Sequence, residues 1–320
     1  MPEQDARCDP PSDLTPAILP PAEAWPNLAG SPAGLVLVST PIGNLGDMTS
    51  RGVTTLRLAD IVLCEDSRVT ARLFSALGIR ARLESLHDHN EEQRIPRLLE
   101  AAQAGQRLAL VSDAGTPLMS DPGFRLVRAL VAAGLRVTAL PGPNAAVTAL
   151  ALSGLPPHPY LFLGFPPPRG AARRTAFASL RAAETAGLAA SMVWYESPHR
   201  IAETLGDLLT VFGDRPAALA RELTKHFEEV RRGPLSALVA GVAADPPRGE
   251  ITLVMGPPEA GQDATTAEDL DARLRTALAQ SRLKEAVAIV AAETGLPRRQ
   301  VYARALALAG EGSAAAAQDR

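Results

Sequence analysis

Cysteine is nearly absent. The two in 320 residues, Cys8 in a Pro-rich start and Cys64 in an apolar run, offer neither a disulfide framework nor a zinc-ligand spacing. Such scarcity fits a reducing, cytoplasmic compartment, and no metal is expected. Long hydrophobic runs are missing too: nothing approaches the roughly 18 consecutive apolar residues of a spanning helix. The opening residues, with Asp5, Asp9 and a series of prolines, show neither the basic start nor the apolar segment of a secretory signal, so no membrane association is expected. Excess charge of either sign is also lacking. Thirty-two Lys plus Arg stand against 35 Asp plus Glu, a formal net charge of −3, which denies the molecule the overall positive field of a general nucleic-acid binder. Any basic surface must be local. What is abundant is apolar side chain, 46% of the total, enough at this length for two buried cores.

Residues 1–33 combine prolines with few periodic apolar positions and read as a disordered tail. From there, short β-rich runs alternate with helical patterns. Strands are expected at 35–39, 61–64, 108–111 and 135–140. Helices are expected at 49–58, at 68–77 closed by Gly78, from Asn90 to Gly105 with a capping box completed by Gln93, from Pro122 behind an Asp121 cap, and at 144–152. That alternation predicts a parallel α/β sheet over 34–155. The turn-rich Ser153-Gly154-Leu155-Pro156-Pro157 marks a boundary. Over 156–257 the spacing changes, and the strands around Lys225 are close enough for a hairpin, so this second α/β domain should carry a mixed sheet. Residues 258–266 read as a linker. Residues 267–310 read as a helical module in which Gly295-Leu296-Pro297 joins two helices in the manner of a helix-turn-helix, and 311–320 read as a frayed tail.

In an open α/β sheet, ligands bind beyond the C-terminal ends of the strands, and three loops there are rich in Gly, Pro and Asp. Ser39-Thr40-Pro41-Ile42-Gly43-Asn44-Leu45-Gly46 allows close backbone approach, yet it lacks the third glycine of a dinucleotide fingerprint and the Gly-Lys-Ser/Thr of a P-loop. The stretch from Ser112 to Gly123 is longer than a strand-to-helix connection needs, which points to a ligand. Within it Asp121 and Pro122 are accounted for as a helix cap and first turn, whereas Asp113 has no such role. Pro141-Gly142-Pro143-Asn144-Ala145-Ala146 puts small residues at a helix start, where free N–H groups can receive a polar ligand edge.

Charged clusters follow other strands: Glu65-Asp66-Ser67-Arg68, His87-Asp88-His89-Asn90, Glu196-Ser197-Pro198-His199-Arg200 and Arg221-Glu222-Leu223-Thr224-Lys225. Two histidines at i, i+2 without a third nitrogen or sulfur ligand do not make a metal site. For Asp66 and Arg68 the ordinary reading is a surface ion pair at a helix start. Of Trp194 and Tyr195, one should face the core and one away from it. Local basicity gathers at Arg169, Arg173, Arg174 and Arg181, and again at Arg282, Lys284, Arg298, Arg299 and Arg304. Each group is a candidate phosphate-contacting surface.

Taken in order, the motifs Thr40-Pro41-Ile42-Gly43-Asn44-Leu45, Glu65-Asp66-Ser67-Arg68, Ser112-Asp113-Ala114-Gly115-Thr116-Pro117, Leu140-Pro141-Gly142-Pro143, Glu196-Ser197-Pro198-His199-Arg200 and Arg221-Glu222-Leu223-Thr224-Lys225 resemble the tetrapyrrole methylase superfamily, and within it the branch acting on small-subunit ribosomal RNA. Ser67 and Asp88 stand where that branch usually has Thr and Glu. The resemblance implies two α/β domains holding S-adenosylmethionine, a small C-terminal helical module, a homodimer, and 2′-O-methylation of a cytidine ribose in the decoding region of 16S rRNA of the small ribosomal subunit. It also implies cofactor contacts at Ile42, Asp113, Thr116, Ala145, Ala146, Tyr195 and Thr252, with Pro41, Ala114 and Gly115 beside them in the same loops. Substrate contacts are expected at Arg68 and Arg200, which cluster at strand ends, at Asn90, and at Arg298 and Arg299 in the basic terminal helices.

A ribose hydroxyl is a feeble nucleophile near neutrality, so a group within hydrogen-bond reach must take or guide its proton. Asp66, Glu222 and Lys225 are the candidates. The competing readings are a tetrapyrrole or diphthine-type methyltransferase of the same superfamily, a non-catalytic S-adenosylmethionine or nucleotide sensor, and an NAD-dependent oxidoreductase, the last disfavoured by the missing glycine.

Overall fold

The structure, a computed structural model, describes residues 34–258, 267–294 and 298–318. The expected tail at 1–33, nearly all of the linker at 258–266 and the turn at Gly295-Leu296-Pro297 lie outside the described residues. The chain divides into two compact units. One runs through Thr148 and includes Leu223–His226; the other comprises Ala149–Glu222 and the residues from Phe227 onward.

The first unit carries five parallel strands, β1 (Gly34–Val38), β2 (Ile61–Cys64), β3 (Leu83–Ser85), β4 (Arg107–Val111) and β5 (Arg136–Leu140), in the order β3-β2-β4-β1-β5. Helices α1 (Ser50–Leu58), α2 (Ser67–Leu77), α3 (Glu91–Gln103), α4 (Phe124–Ala132) and α5 (Ala145–Ser153) alternate with them. Strands buried on both faces explain the unbroken apolar runs: Leu35, Leu63, Leu108 and Leu110 pack with Leu98 and Leu126 on one side, Val38, Val62, Ala109 and Val111 with Leu56 and Phe74 on the other.

The second unit holds a mixed sheet of β6 (Tyr160–Phe162), β7 (Ser191–Glu196), β8 (Pro216–Arg221), β9 (Glu229–Pro234) and β10 (Ile251–Met255), ordered β6-β7-β10-β8-β9, with only β6 and β7 parallel. The β8–β9 pair is the expected hairpin around Lys225. Helices α6 (Gly170–Thr185), α7 (Ile201–Phe212) and α8 (Leu235–Ala244) cover a core around Trp194, Leu219 and Leu253. Beyond it, α9 (Ala267–Gln280), α10 (Leu283–Thr294) and α11 (Arg298–Gln318) pack through Leu274, Val290 and Val301. The final helix continues to Gln318, well into the stretch expected to fray.

Three local readings are corrected. Asp121 does not cap α4: the helix begins at Phe124 behind Gly123, whose φ of +120° and tight fit against Leu110, 2.5 Å from where a Cβ would sit, exclude a side chain there. Asn90 precedes α3 but makes no side-chain cap. Its Oδ1 accepts from the His87 N–H at 2.9 Å and its Nδ2 donates to the Ser85 carbonyl at 3.2 Å, so it locks the preceding loop instead. Strand β3 was not expected at all; it is three partly buried residues at the sheet edge.

Candidate active site

At the C-terminal ends of β1, β2, β4 and β5 the four motif loops of the first unit interlock. Thr40 and Gly115 exchange backbone hydrogen bonds at 2.9 and 3.1 Å, and the Thr40 hydroxyl donates to the Ser112 carbonyl at 3.1 Å. The Thr116 hydroxyl donates to the Pro143 carbonyl at 2.9 Å, tying the loop after β4 to the loop after β5. The Ser39 hydroxyl reaches the Leu140 carbonyl at 3.3 Å, and a Cβ at Gly142 would lie 2.6 Å from that of Ser39. The Asp66 N–H donates to Asp113 Oδ1 at 3.2 Å, joining the loop after β2. Lys225, carried in the short segment 223–226, lies across Gly43: a Cβ there would meet its Cγ at 2.3 Å. Glycine at this position therefore serves to seat a lysine almost two hundred residues distant in sequence. Pro41 and Asn44 flank this contact in sequence, with Ile42 and Ala146 buried and Ala114 exposed.

The electrostatics of these loops are lopsided. Asp121, freed from capping, is half-buried near Glu65 and Asp113. Burial, reinforced by those two neighbouring carboxylates, pushes its carboxyl up to about 7. Burial likewise raises Asp113, despite the hydrogen bond it accepts from Asp66, and raises Glu65 with help from Asp113 and Asp88. Asp66 behaves oppositely. It caps α2 through the Arg68 N–H at 2.8 Å and pairs with the Arg68 guanidinium at 2.7 Å, and the guanidinium hydrogen bonds, then the backbone one, draw its carboxyl down to about 2. Leu118 and Ser120, on the same loop as Asp113 and Asp121, hold φ values of +74° and +75°. Such backbone costs on the order of 1–3 kcal/mol per residue and concentrates where function demands a shape. Among the described residues, no group of three or more His, Cys, Asp or Glu side chains is disposed to hold a metal.

In the second unit, Tyr195 and Thr252 are direct cross-strand partners of β7 and β10 and so share one face. The Tyr195 ring packs edge-on against Phe162, centroids 4.9 Å apart, while its neighbour Trp194 is buried against Phe177. Glu222 has φ of +50° and its Oε1 accepts the Glu250 N–H at 3.0 Å; it occupies the space a Cβ at Gly249 would need. Arg200 pairs at 2.7 Å with the fully buried Glu196, which also accepts from the Thr204 hydroxyl at 2.6 Å, so its charge is engaged inside the protein. Arg298 and Arg299 are exposed at the start of α11, and Arg304 is bound to Asp271.

The structure thus gathers Pro41, Ile42, Asp66, Arg68, Asp113 to Thr116, Ala145, Ala146 and Lys225 in the first unit, and places Glu222, Tyr195, Thr252, Arg200, Arg298 and Arg299 in the second. Asn90 stands apart before α3. The residue that sequence reasoning passed over is Asp121. Its signal was the excess length of the loop, which local capping rules concealed.

Comparison with known proteins identifies the family. The tetrapyrrole (corrin/porphyrin) methylase profile matches residues 34–239, and the RsmI C-terminal HTH domain profile matches residues 264–309. A protein of Mesorhizobium japonicum named ribosomal RNA small subunit methyltransferase I is 45% identical over 283 residues, covering 87% of this chain and 94% of its own. Its namesake in Micromonospora olivasterospora is 50% identical, covering 84% of this chain and 85% of its own. The namesake in Escherichia coli O157:H7 is 42% identical, covering 85% and 94%. Among solved structures, the methyltransferase CobJ superposes with a TM-score of 0.52 at 19% identity over 70% of this chain and 94% of its own. Diphthine synthase gives 0.52 at 17% over 69% and 89%. Both show likeness of fold alone.

Proposed function

The chain belongs to the tetrapyrrole (corrin/porphyrin) methylase family, and from that premise we propose that it is an S-adenosylmethionine-dependent methyltransferase that 2′-O-methylates a cytidine ribose in 16S rRNA of the small ribosomal subunit. The observation that carries the reading is the interlocking of four motif loops and Lys225 at one end of the first sheet. The agreement in name among relatives at 42–50% identity supports the choice of substrate.

The residues present fit a cationic methyl donor. Burial raises the proton affinity of Glu65, Asp113 and Asp121, Asp113 adds to the rise at Glu65, and both Glu65 and Asp113 add to that at Asp121, a repulsion that a positive ligand relieves. Ala114 is exposed and small, Gly115 adds no side chain beside it, and Ala145 and Ala146 open α5 with small side chains. When bound, the donor supplies a methyl group on a sulfonium centre. The protein's share of the work is alignment, worth up to about 7 to 11 kcal/mol for a well-oriented displacement. The interlocked backbone suits that task because it holds its shape without help from the ligand.

The ribose proton must also be managed. Asp66, held near 2 and fully occupied by Arg68 and the start of α2, is suited to anchoring its loop. In this reading Lys225 stabilises negative charge developing on the ribose oxygen or Glu222 accepts the proton, and Asp121 has a proton affinity matched to neutral solution. Turnover of small-subunit particles by Asp66→Asn, Glu222→Gln, Lys225→Met and Asp121→Asn tests these roles. A loss of about 10²- to 10⁴-fold marks the proton acceptor, and near-normal rates in all four remove the idea of a single one. Failure of the parent chain to restore 2′-O-methylcytidine to particles lacking it would overturn the reading as a whole.

A further inference from the structure

The residues around β3 form a charged cluster outside the motif loops. Strand β3 is an edge strand, and its Glu84 carboxylate is about nine-tenths buried. Three guanidiniums converge on it: Arg82 Nη2 lies 3.0 Å from Oε1, Arg94 Nη1 lies 3.1 Å from Oε2, and Arg97 binds the same Oε2. Each guanidinium has five N–H donors in a planar fork, and each gives a single nitrogen to Glu84. Arg82 and Arg97 keep more than half of their side-chain surface in solvent, and Arg94 about a third. Together with Ser85 and Gln93 they line an open groove of about 520 Å³. Three positive groups against one negative leave a local charge of +2 in a protein whose formal net charge is −3.

One carboxylate cannot saturate three forks. What it does is hold them in place, so that part of the ordering entropy of long side chains is lost on folding rather than on binding. Guanidinium forks match phosphate oxygens in geometry, two N–H groups to two oxygens, and their weak hydration favours such contacts over those of lysine.

We infer that the groove formed by β3 and α3 is a phosphate-binding site, in which Arg82, Arg94 and Arg97, preset by Glu84, grip the backbone of the RNA substrate. The inference rests on the function proposed above and adds to it a contact surface outside the motif loops.

The test uses the full chain and small-subunit particles as substrate, with KM and kcat measured over a series of monovalent salt concentrations. Arg82→Gln with Arg97→Gln should raise KM about tenfold near physiological salt, with the loss in KM rather than kcat. It should also lower the slope of log KM against log salt by about 1.5, close to 0.7 per phosphate contact removed. Arg82→Lys with Arg97→Lys, which keeps the charge, should retain most of the slope, and this separates loss of charge from loss of fold. A parent-like KM and slope in the glutamine variant, with the parent active on particles, overturns the groove alone. A parent inactive on particles overturns the proposed function first and the groove with it.

Discussion

Two arginine-rich regions are neutralised to different degrees in the structure. Helix α6 carries Arg173, Arg174 and Arg181 with no acid nearby in sequence before Glu184, yet its charges are consumed by carboxylates. Arg173 is buried and bonds to Asp207 at 2.7 Å and Glu203 at 3.2 Å from α7, Arg174 reaches Asp207 at 3.3 Å, and Arg181 shares Glu184 with the buried Arg215. Around β3 the ratio is reversed, with three guanidiniums on one carboxylate. Four guanidiniums on three carboxylates, two of those little exposed, hold the fold together, whereas three on one leave charge available to a ligand. A count of charges along the chain cannot tell these apart, because two of the acids that neutralise α6, Glu203 and Asp207, arrive from another helix.

The comparison can be broken most sharply at Glu184, whose oxygens receive Arg215 at 2.6 and 2.8 Å in full burial. Glu184→Gln should destabilise by about 3–5 kcal/mol, since it strands a buried guanidinium, and denaturant melts read this directly while the salt dependence of particle binding stays put. A loss below about 1 kcal/mol would mean that the α6 arginines are not structural. The acid-rich loops provide the converse case. Because the Asp121 carboxyl rises from 3.8 to about 7 on folding, its contribution is complete below pH 4 and is lost as pH climbs through 7, where a charge must be carried in a crowded, half-buried place. Asp121→Asn should therefore stabilise at pH 8, on the order of 1–2 kcal/mol after allowance for solvent screening, with the gain vanishing near pH 4. Thermal melts at the two pH values check it, and a pH-independent effect refutes it.

A smaller effect is expected at Arg97, half exposed in its groove: Arg97→Gln should change stability by under about 1 kcal/mol, even as it weakens particle binding. Asp66→Asn completes the series. With its carboxyl lowered to about 2, the Asp66 contribution is present above pH 4 and fades as pH falls toward 2. Acid titration of the variant and parent should therefore converge at the lowest pH. Divergence there would show that Arg68 is not what holds the carboxylate down.

How far sequence could reach follows from these cases. Parallel alternation in the first unit was legible because strands buried on both faces leave apolar runs, as Ile61–Cys64 and Arg107–Val111 do, and because Gly78 closes α2 in the left-handed conformation. The mixed second sheet was legible from its shorter spacing and from the hairpin around Lys225. Strand β3 escaped because three residues with a glutamate at the centre show no period, and an edge position asks for none. Asp121 was misread because Asp-Pro-Gly satisfies the local rule for a helix start, whereas the packing of Gly123 against Leu110 moves that start onward. The motif loops could be singled out by composition, but their mutual hydrogen bonds, Thr40 with Gly115 and Thr116 with Pro143, are tertiary facts. The pairing of Arg200 with Glu196 is another tertiary fact.

The seating of Lys225 on Gly43 has a consequence for biogenesis. Residues 34–148 can begin to collapse as soon as they leave the ribosome, but the lysine that completes their loop cluster is encoded after Glu222 and is delivered only when translation has passed His226. Assembly of the first unit therefore ends with a piece contributed by the sequence of the second.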